Sequence, residues 1–292
     1  MRRARGGRQT GGVSGEWLRY WRCDDRPVEA MHARFNRHVY HRHSHETYSF
    51  GVTDAGVQEF RCRGAGHRST AGMVMAFNPD DPHDGRAGDE LGFVYRIVHI
   101  GPELVAGALA GAAAGTRRPG LPLFAEPVVR DPVLADGLRR LHASLLGPAP
   151  ALLRDELLDA VIVSAVRRAA TRDPGAPGPP PGARVIARRA RDVLAARFLE
   201  DLDAETLAAA AGASRFAVYR AFRAVYGLAP SDYQRQLRLR AARRHLAAGR
   251  PIAEAAALAG FADQSHLTRW FVRVYGITPD MFRRSAGAVR SR

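Results

Sequence analysis

The sequence contains no lysine and only two cysteines, Cys23 and Cys62. Their spacing fits neither a metal finger nor a disulfide framework, and we expect both to remain thiols. The net charge of +15 therefore comes from arginine alone. Because alanine, glycine and proline are also abundant, the choice of arginine over lysine indicates a GC-rich source rather than a functional requirement.

The sequence also lacks any run of 18 apolar residues, which argues against a membrane-spanning helix. Its first residues, Met1 to Arg8, lack the apolar stretch that follows the charges of a secretion signal. We therefore expect a cytoplasmic protein with no membrane contact. The content of 46% hydrophobic and 25% charged residues is typical of folded proteins, and 292 residues suffice for two domains.

The arginines are distributed unevenly relative to the acidic residues. Residues 183–292 hold 20 arginines against nine acidic residues, whereas residues 13–182 hold 20 of each. A neutral region joined to a strongly basic one indicates a polyanionic partner at the C-terminal end.

A segment rich in proline and glycine divides the chain, because proline lacks an amide donor and glycine restricts the backbone little. We predict a linker over residues 172–184, between one domain over residues 28–171 and another over residues 185–285. A basic arm over residues 1–27 would precede the first domain. A basic tail over residues 286–292 would follow the second.

The first domain begins with short alternating apolar segments over residues 28–100, separated by turns. This spacing predicts an antiparallel β-barrel or jelly roll. Two helices follow. The first has Leu134, Leu138, Leu141 and Leu145 on one face. In the second, Leu153, Leu157 and Val161 form a stripe, with Leu158, Ile162 and Ala165 beside it. These stripes can pack against the barrel or form a dimer seam, and their spacing leaves both interpretations open.

A segment of the second domain occurs twice, 49 residues apart: residues 220–230 and 269–279 are identical at six positions. Each copy follows an Ala-rich stretch that ends at Gly212 or Gly260, and then a polar helix start. This is the layout of two helix-turn-helix units. We predict Ser214 and Asp263 as N-caps of the second helix in each unit. The fold class is therefore α+β: an antiparallel barrel with two helices, linked to an all-α domain.

The second helix of each unit has a core face and an outward face. Val218 and Phe222, and likewise Leu267 and Phe271, are four residues apart and should be buried. The opposite face carries residues suited to reading base edges, since arginine can grip guanine, glutamine can grip adenine and phenylalanine can pack on a thymine methyl. The candidate DNA-binding residues are Phe216, Tyr219, Arg220, Arg223, Gln264, Ser265, His266, Thr268 and Arg269. An intradomain ion pair for Arg220 or Arg269, or core burial for Phe216, would be the alternatives.

Residues 185–285 resemble the DNA-binding domain of the AraC/XylS family of bacterial transcription regulators. The resemblance lies in Ile252–Phe261, Gln264–Phe271 and Tyr275–Arg283. It implies base-reading positions at Phe216, Tyr219, Arg220, Gln264, Ser265, His266 and Arg269. It also implies promoter DNA and RNA polymerase as partners, a homodimer, and an activator rather than a repressor. Ala229 departs from the family, where Ser or Thr usually caps the helix before Pro230.

Histidines are concentrated in the first domain. His41, His43 and His45 alternate, so on a strand they would share one face, and His83 follows the turn Asn78–Pro82. Such a set could bind a metal, a carboxylate ligand or nothing. Residues 28–100 resemble the cupin-type sensor domain of this family, which implies a pocket for a small-molecule effector. Our candidate effector-binding residues are His43, His45, Tyr48 and His83.

The same resemblance bears on metal binding and catalysis. Metal-binding cupins have a glutamate three or four positions after the second histidine, where this chain has Tyr48 and Ser49. We therefore predict no metal, no cofactor and no enzymatic activity. Two alternatives stay open: a metal-dependent cupin enzyme, and a DNA-binding protein whose barrel only dimerises it.

Overall fold

The structure is a computed structural model that describes residues 15–24, 26–112, 121–171 and 182–285. Most of the predicted basic arm and linker, and the whole basic tail at 286–292, lie outside the described residues. The side chain of Phe216 also lies outside them. Within the described ranges, every helix is too short or too polar to cross a lipid bilayer.

The described residues form nine strands and ten helices. The strands are β1 (Trp17–Arg22), β2 (Val28–Phe35), β3 (Tyr40–His43), β4 (Tyr48–Cys62), β5 (Ala65–Thr70), β6 (Val74–Phe77), β7 (His83–Ala87), β8 (Phe93–Ile100) and β9 (Val128–Val129). The helices are α1 (Pro102–Ala112), α2 (Pro132–Leu146), α3 (Ala151–Ala169), α4 (Ala183–Arg197), α5 (Ala204–Ala211), α6 (Arg215–Tyr226), α7 (Pro230–Ala247), α8 (Ile252–Leu258), α9 (Gln264–Tyr275) and α10 (Pro279–Arg284).

All strand pairs are antiparallel, as the alternating segments predicted. The strands run in the order β1-β2-β8-β4-β6-β9, which makes an open sheet rather than a closed ring. The 15-residue β4 also pairs with β5 and β7, and β7 pairs with β3. The sheet therefore folds over itself along β4.

Different helices cover the two faces of the sheet. Val28, Tyr48 and Phe50 pack with the apolar sides of α2 and α3, including all four leucines of the predicted α2 stripe. On the opposite face, Met31 and Tyr95 belong to a core that continues into α7, α8, α9 and α10. The sheet domain and the second helix-turn-helix unit therefore share one apolar core.

Two predictions about the first domain need correction. The predicted arm over residues 1–27 includes β1, because Trp17, Leu18 and Tyr20 pack on the sheet and Trp17–Arg22 pairs along β2. The predicted apolar side of α3 is buried at Leu158, Val161 and Ile162, but Leu153 at its start is 42% exposed. Packing against the sheet accounts for the α2 stripe within one chain.

Candidate DNA-binding surface and effector pocket

The first helix-turn-helix unit consists of α5 and α6. Ser214 caps α6 by accepting a hydrogen bond from the amide of Ala217, as the sequence predicted. Val218 and Phe222 are buried in a core shared with Leu194 of α4 and Leu207 of α5. The apolar spacing therefore fixes which side of α6 faces the interior.

The predicted reading residues of α6 whose side chains are described lie on its outer side. Tyr219, Arg220 and Arg223 are all exposed. Arg223 donates a hydrogen bond to the Tyr219 hydroxyl at 2.8 Å, and its guanidinium lies 5.6 Å from the centre of that ring. This contact holds Arg223 and Tyr219 as a pair on the helix surface.

The second unit consists of α8 and α9 and has the same plan. Asp263 accepts a hydrogen bond from the amide of His266 and so caps α9. Leu267 and Phe271 are fully buried. Of the predicted reading residues, Gln264, Ser265 and Arg269 are exposed, while His266 and Thr268 are half-buried.

Helix α7 joins the two units and carries contacts that the sequence analysis missed. Arg238 donates to the carbonyl oxygens of Phe198, Glu200 and Gly260, which ties the end of α4 to the turn of the second unit. Because one guanidinium bonds both the segment after α4 and the turn of the second unit, it stabilises their relative orientation. Nothing in the local sequence distinguishes Arg238 from the other arginines of α7.

The sheet domain also holds α7 directly. Gln236 of α7 accepts a hydrogen bond from the Ser44 hydroxyl at 3.2 Å, and Arg240 forms an ion pair with Asp80 at 2.6 Å. Arg243 forms an ion pair and a hydrogen bond with Glu29 of β2. Burial alone would raise the pKa of Glu29, but Arg243, His99, Tyr20 and Arg22 together outweigh burial, and the pKa lies below its ordinary value.

Three of the four predicted effector-binding residues come together in one cavity. His43, His45 and His83 have potential ligand nitrogens that all lie within 4.8 Å of one another. The Nε2 atoms of His43 and His45 are 3.1 Å apart. The imidazole of His99 lies against His45, with 4.5 Å between the ring centres.

Tyr48 is not part of this cavity. Strand β4 begins at Tyr48, and its next residue, Ser49, contacts the cavity residue His99 through its hydroxyl, so the side chain of Tyr48 lies on the opposite face. The Tyr48 ring packs on the face of the sheet that α2 and α3 cover, and its hydroxyl donates to the carbonyl of Pro122 at 2.8 Å. Tyr48 as an effector contact is therefore wrong for this structure.

His41 also departs from the predicted shared face. The register of β3 is irregular between Tyr40 and His43, and His41 is exposed. Its ring contacts Trp270 of α9 at 5.1 Å between ring centres. His41 thus lies at the contact between the domains, outside the cavity.

Residues from both domains line the cavity. The five named next were not among the residues predicted from the sequence. His99, Gln58 and Glu29 come from the sheet, and Arg243 and Tyr275 come from α7 and α9. The pairing of His99 with Ser49 across β8 and β4 places it there, which only the register reveals. The cavity volume is about 50 Å³.

Burial makes the cavity histidines weak bases. Burial lowers the pKa of His43 and of His45 well below the usual range, and neighbouring histidines lower both further. Burial also lowers the pKa of His83, and that of His99 falls to about 4. These four imidazoles are therefore neutral near pH 7.

A wider crevice opens beside the cavity, between the sheet domain and α7. It has a volume of about 570 Å³ and shares His45, His99 and Arg243 with the cavity. Arg22 also lines it, and its Nε and Nη2 atoms are buried without a hydrogen-bond partner among the described residues. The crevice is large enough for a small organic ligand, whereas the cavity is not.

The fold and these surfaces define a class of protein: a double helix-turn-helix DNA-binding domain docked on an antiparallel ligand-binding domain. Residues 27–162 match the AraC-like ligand binding domain, and residues 207–285 match a helix-turn-helix domain. The chain belongs to the AraC/XylS family of DNA-binding transcription regulators.

Individual relatives agree with this membership. The HTH-type transcriptional regulator YbfI of Bacillus subtilis is 26% identical over 243 residues, which cover 82% of this chain and 86% of YbfI. The regulatory protein ada of Salmonella typhimurium is 37% identical over 117 residues, 39% of this chain and 33% of ada. The crystal structure of ToxT from Vibrio cholerae aligns with 96% of this chain and 99% of the ToxT chain, with a TM-score of 0.52 and 10% sequence identity. This likeness shows a shared fold.

Proposed function

We propose that this protein regulates transcription from promoter DNA under the control of a small-molecule effector bound between its two domains. The observation that carries the proposal is the position of Tyr275 and Arg243. Both belong to the helix-turn-helix domain and both form walls of the histidine cavity. A ligand that enters from the crevice must therefore contact or displace the DNA-binding domain.

The regulatory step follows from that contact. An effector shifts an equilibrium only if it binds two states with different affinity. The docked state fixes α7 through Gln236, Arg240 and Arg243. A ligand that competes for Arg243, or that needs the space of Tyr275, would favour a state with the contact loosened. Arg22, whose Nε and Nη2 atoms are buried without a hydrogen-bond partner among the described residues, favours an anionic effector.

The DNA contact uses the exposed sides of α6 and α9. In this proposal Tyr219, Arg220 and Arg223 read one major groove, while Gln264, Ser265, His266, Thr268 and Arg269 read the next. Successive major grooves on one side of the duplex are about 34 Å apart. The backbone of Phe216 lies at the start of α6, and we keep its side chain as a base contact.

The remaining features follow from membership in the family. We propose a cytoplasmic activator without enzymatic activity that contacts RNA polymerase and acts as a homodimer. The exposed Leu152 and Leu153 at the start of α3 support a dimer contact, since they are 70% and 42% accessible in one chain.

The test is DNA binding by the full chain. We would measure mobility shifts with DNA from upstream of its own gene at two salt concentrations with competitor DNA, followed by footprinting. The expected result is a protected site that spans two major grooves and resists competitor. If genome-wide selection also yields no preferred sequence, the proposal is wrong.

Arg269→Ala tests whether Arg269 reads a base or only adds positive charge near the DNA. Arg250→Ala is the matched control, because it removes the same charge from an exposed arginine paired with Glu254. Arg269→Ala should abolish preference at one base pair, while Arg250→Ala should weaken all sequences equally or not at all. Equal effects of the two variants would contradict the assignment of α9 as a reader.

A further inference from the structure

We propose that His43, His45 and His83 bind one divalent transition-metal ion inside the cavity between the sheet and the second helix-turn-helix unit. The ion would be of the zinc, cobalt, nickel or copper class, because neutral imidazole nitrogens suit these metals. The metal site itself does not depend on the proposed function. Only the assignment of this ion to the effector pocket rests on that function.

The histidines are already oriented for metal binding. The Nδ1 atom of His43 donates to the carbonyl of His41 at 2.6 Å, and that of His83 donates to the carbonyl of Asp81 at 2.8 Å. This fixes the tautomer of both rings and leaves each Nε2 as an acceptor, with that of His43 in a hydrogen bond to Nε2 of His45, which a metal ion would replace. Metal-binding histidines in proteins are held in this way by carbonyl oxygens.

The distances fit a common ion. Bonds of about 2.0–2.1 Å at right-angled or tetrahedral geometry place two ligand nitrogens roughly 2.9–3.4 Å apart. The Nε2 atoms of His43 and His45 are 3.1 Å apart. Because all three ligand atoms lie within 4.8 Å, closing the set on one ion needs side-chain movements on the order of 1 Å.

The size of the cavity favours an ion over an organic molecule. Its volume is about 50 Å³. One water needs roughly 10–15 Å³ on this measure, whereas organic ligands occupy pockets of roughly 300–1,000 Å³. The cavity therefore accommodates an ion with a few waters while the docked domain covers it.

The cavity also supplies what an ion needs beyond three imidazoles. The Oε1 atom of Gln58 is buried in its wall and has no hydrogen-bond partner among the described residues. A water bound to the ion would donate to it. Asp84 and Glu29 also line the cavity, and their charges oppose the repulsion from Arg243.

The position of the ion would link it to the DNA-binding domain. Tyr275 lies 6.3 Å from His45 between ring centres, and Arg243 stacks over Tyr275 at 4.7 Å. An anionic effector in the crevice could therefore reach the ion through His45, which lines both spaces.

The experiment is a titration of the full chain, prepared without a polyhistidine tag and stripped with chelator, with Co²⁺ and then Zn²⁺. We expect one equivalent of Co²⁺, with visible absorption of nitrogen-bound Co²⁺ that Zn²⁺ removes. His45→Gln and His83→Gln should each lower the affinity by more than about 100-fold, because loss of an outer partner alone costs about 10–100-fold. No binding, or binding that both variants retain, would overturn the proposal.

His41→Gln is the matched control, since His41 is two residues from His43 but lies outside the cavity. It should leave the titration unchanged. X-ray absorption of the wild-type complex gives an answer that does not depend on any variant folding: three imidazole ligands support the site, and fewer than two exclude it. Mobility shifts separate the two proposals. DNA binding without metal binding overturns only this inference, and metal binding without any DNA site overturns only the proposed function.

Discussion

The ring of Tyr40 lies directly against Gly276, the residue that ends α9. A Cβ atom at position 276 would come within 2.5 Å of the Tyr40 hydroxyl. Two residues along β3, Arg42 donates a hydrogen bond at 2.9 Å to the carbonyl of Gly227, which ends α6. The short strand β3 therefore contacts the repeated glycine of both units, and it ends at His43 of the cavity.

Gly276→Ala should separate the second unit from the sheet. Gly276 has φ +70°, so any side chain adds backbone strain as well as the clash with Tyr40. Gly249→Ala is the matched control, because Gly249 has φ +83° with nothing within 4 Å of an added Cβ. Both variants should lose about 1 kcal/mol of unfolding free energy to strain. Only Gly276→Ala should speed hydrogen exchange in β3 and α9. Equal exchange in the two variants would contradict a contact role for Gly276.

The Glu29–Arg243 ion pair should stabilise the docked state more than an exposed surface ion pair does. Glu29→Gln leaves the Arg243 charge enclosed between the domains without its partner, at an expected cost of roughly 3 kcal/mol in urea unfolding. Glu200→Gln breaks the exposed pair with Arg197 and should leave stability within experimental scatter. Adding Arg243→Met to Glu29→Gln should restore part of the loss. If the double variant is less stable than either single one, the two side chains are not coupled as described.

The architecture could be predicted from sequence because it depends on local signals. The repeated segment, the caps Ser214 and Asp263 and the turn glycines each act within a few residues, and the structure confirms both caps. Contacts between distant segments give no such signal. His99 reaches the cavity through the pairing of β8 with β4, and Arg243 reaches it through domain docking.

The errors at Tyr48 and His41 have different origins. Alternation along a strand predicts a shared face only while the strand continues without interruption. Strand β3 has only four residues and an irregular register, so alternation does not place His41 beside His43. The prediction of Tyr48 rests on the resemblance to cupin-type sensor domains, and alternation alone would place it on the face opposite His43 and His45. A short chain segment rich in histidine does not reveal where its strand stops.

Base reading by the first unit should be separable from that by the second. Arg223→Ala removes a guanidinium paired with Tyr219 on the exposed side of α6. We expect a loss of about 1–3 kcal/mol in binding at one base pair, in the half of the site contacted by α6. Arg197→Ala on α4 is a control that removes an equal charge from a surface ion pair. Selection of binding sequences from a random library measures the change, and altered preference in the α9 half would contradict the assignment.

Acid should destabilise the protein through its buried histidines. His142 of α2 is 2% exposed, burial lowers its pKa to about 4, and its Nε2 bonds the carbonyl of Met31 at 3.0 Å. Because the pKa is lower in the folded state, the stability is present above about pH 6.5 and is lost as the pH falls toward 4. Protonation in the unfolded chain accounts for about 3 kcal/mol at pH 4.

His142→Gln keeps a donor for Met31 and removes this titration. Its unfolding free energy should therefore fall less between pH 7 and pH 4 than that of the wild type, with the difference measured by urea unfolding at each pH. His245→Gln, on the partly exposed side of α7, serves as the control and should follow the wild type. Parallel curves for His142→Gln and the wild type would show that His142 does not contribute.

The helices that follow the two units, α7 and α10, differ at their N-caps, and the N-cap of α7 can be improved. Thr278 accepts a hydrogen bond from the amide of Met281 at 3.1 Å before Pro279, whereas Ala229 before Pro230 makes no side-chain cap bond. The backbones match, with φ −79° and ψ 154° at Thr278 and φ −72° and ψ 153° at Ala229. Ala229→Thr should therefore gain about 1 kcal/mol of stability, and Thr278→Ala should lose a similar amount. Thermal unfolding of both variants measures the effect. If Ala229→Thr leaves the melting temperature unchanged while Thr278→Ala lowers it, neighbours of α7 rather than the missing hydroxyl limit the stability of α7.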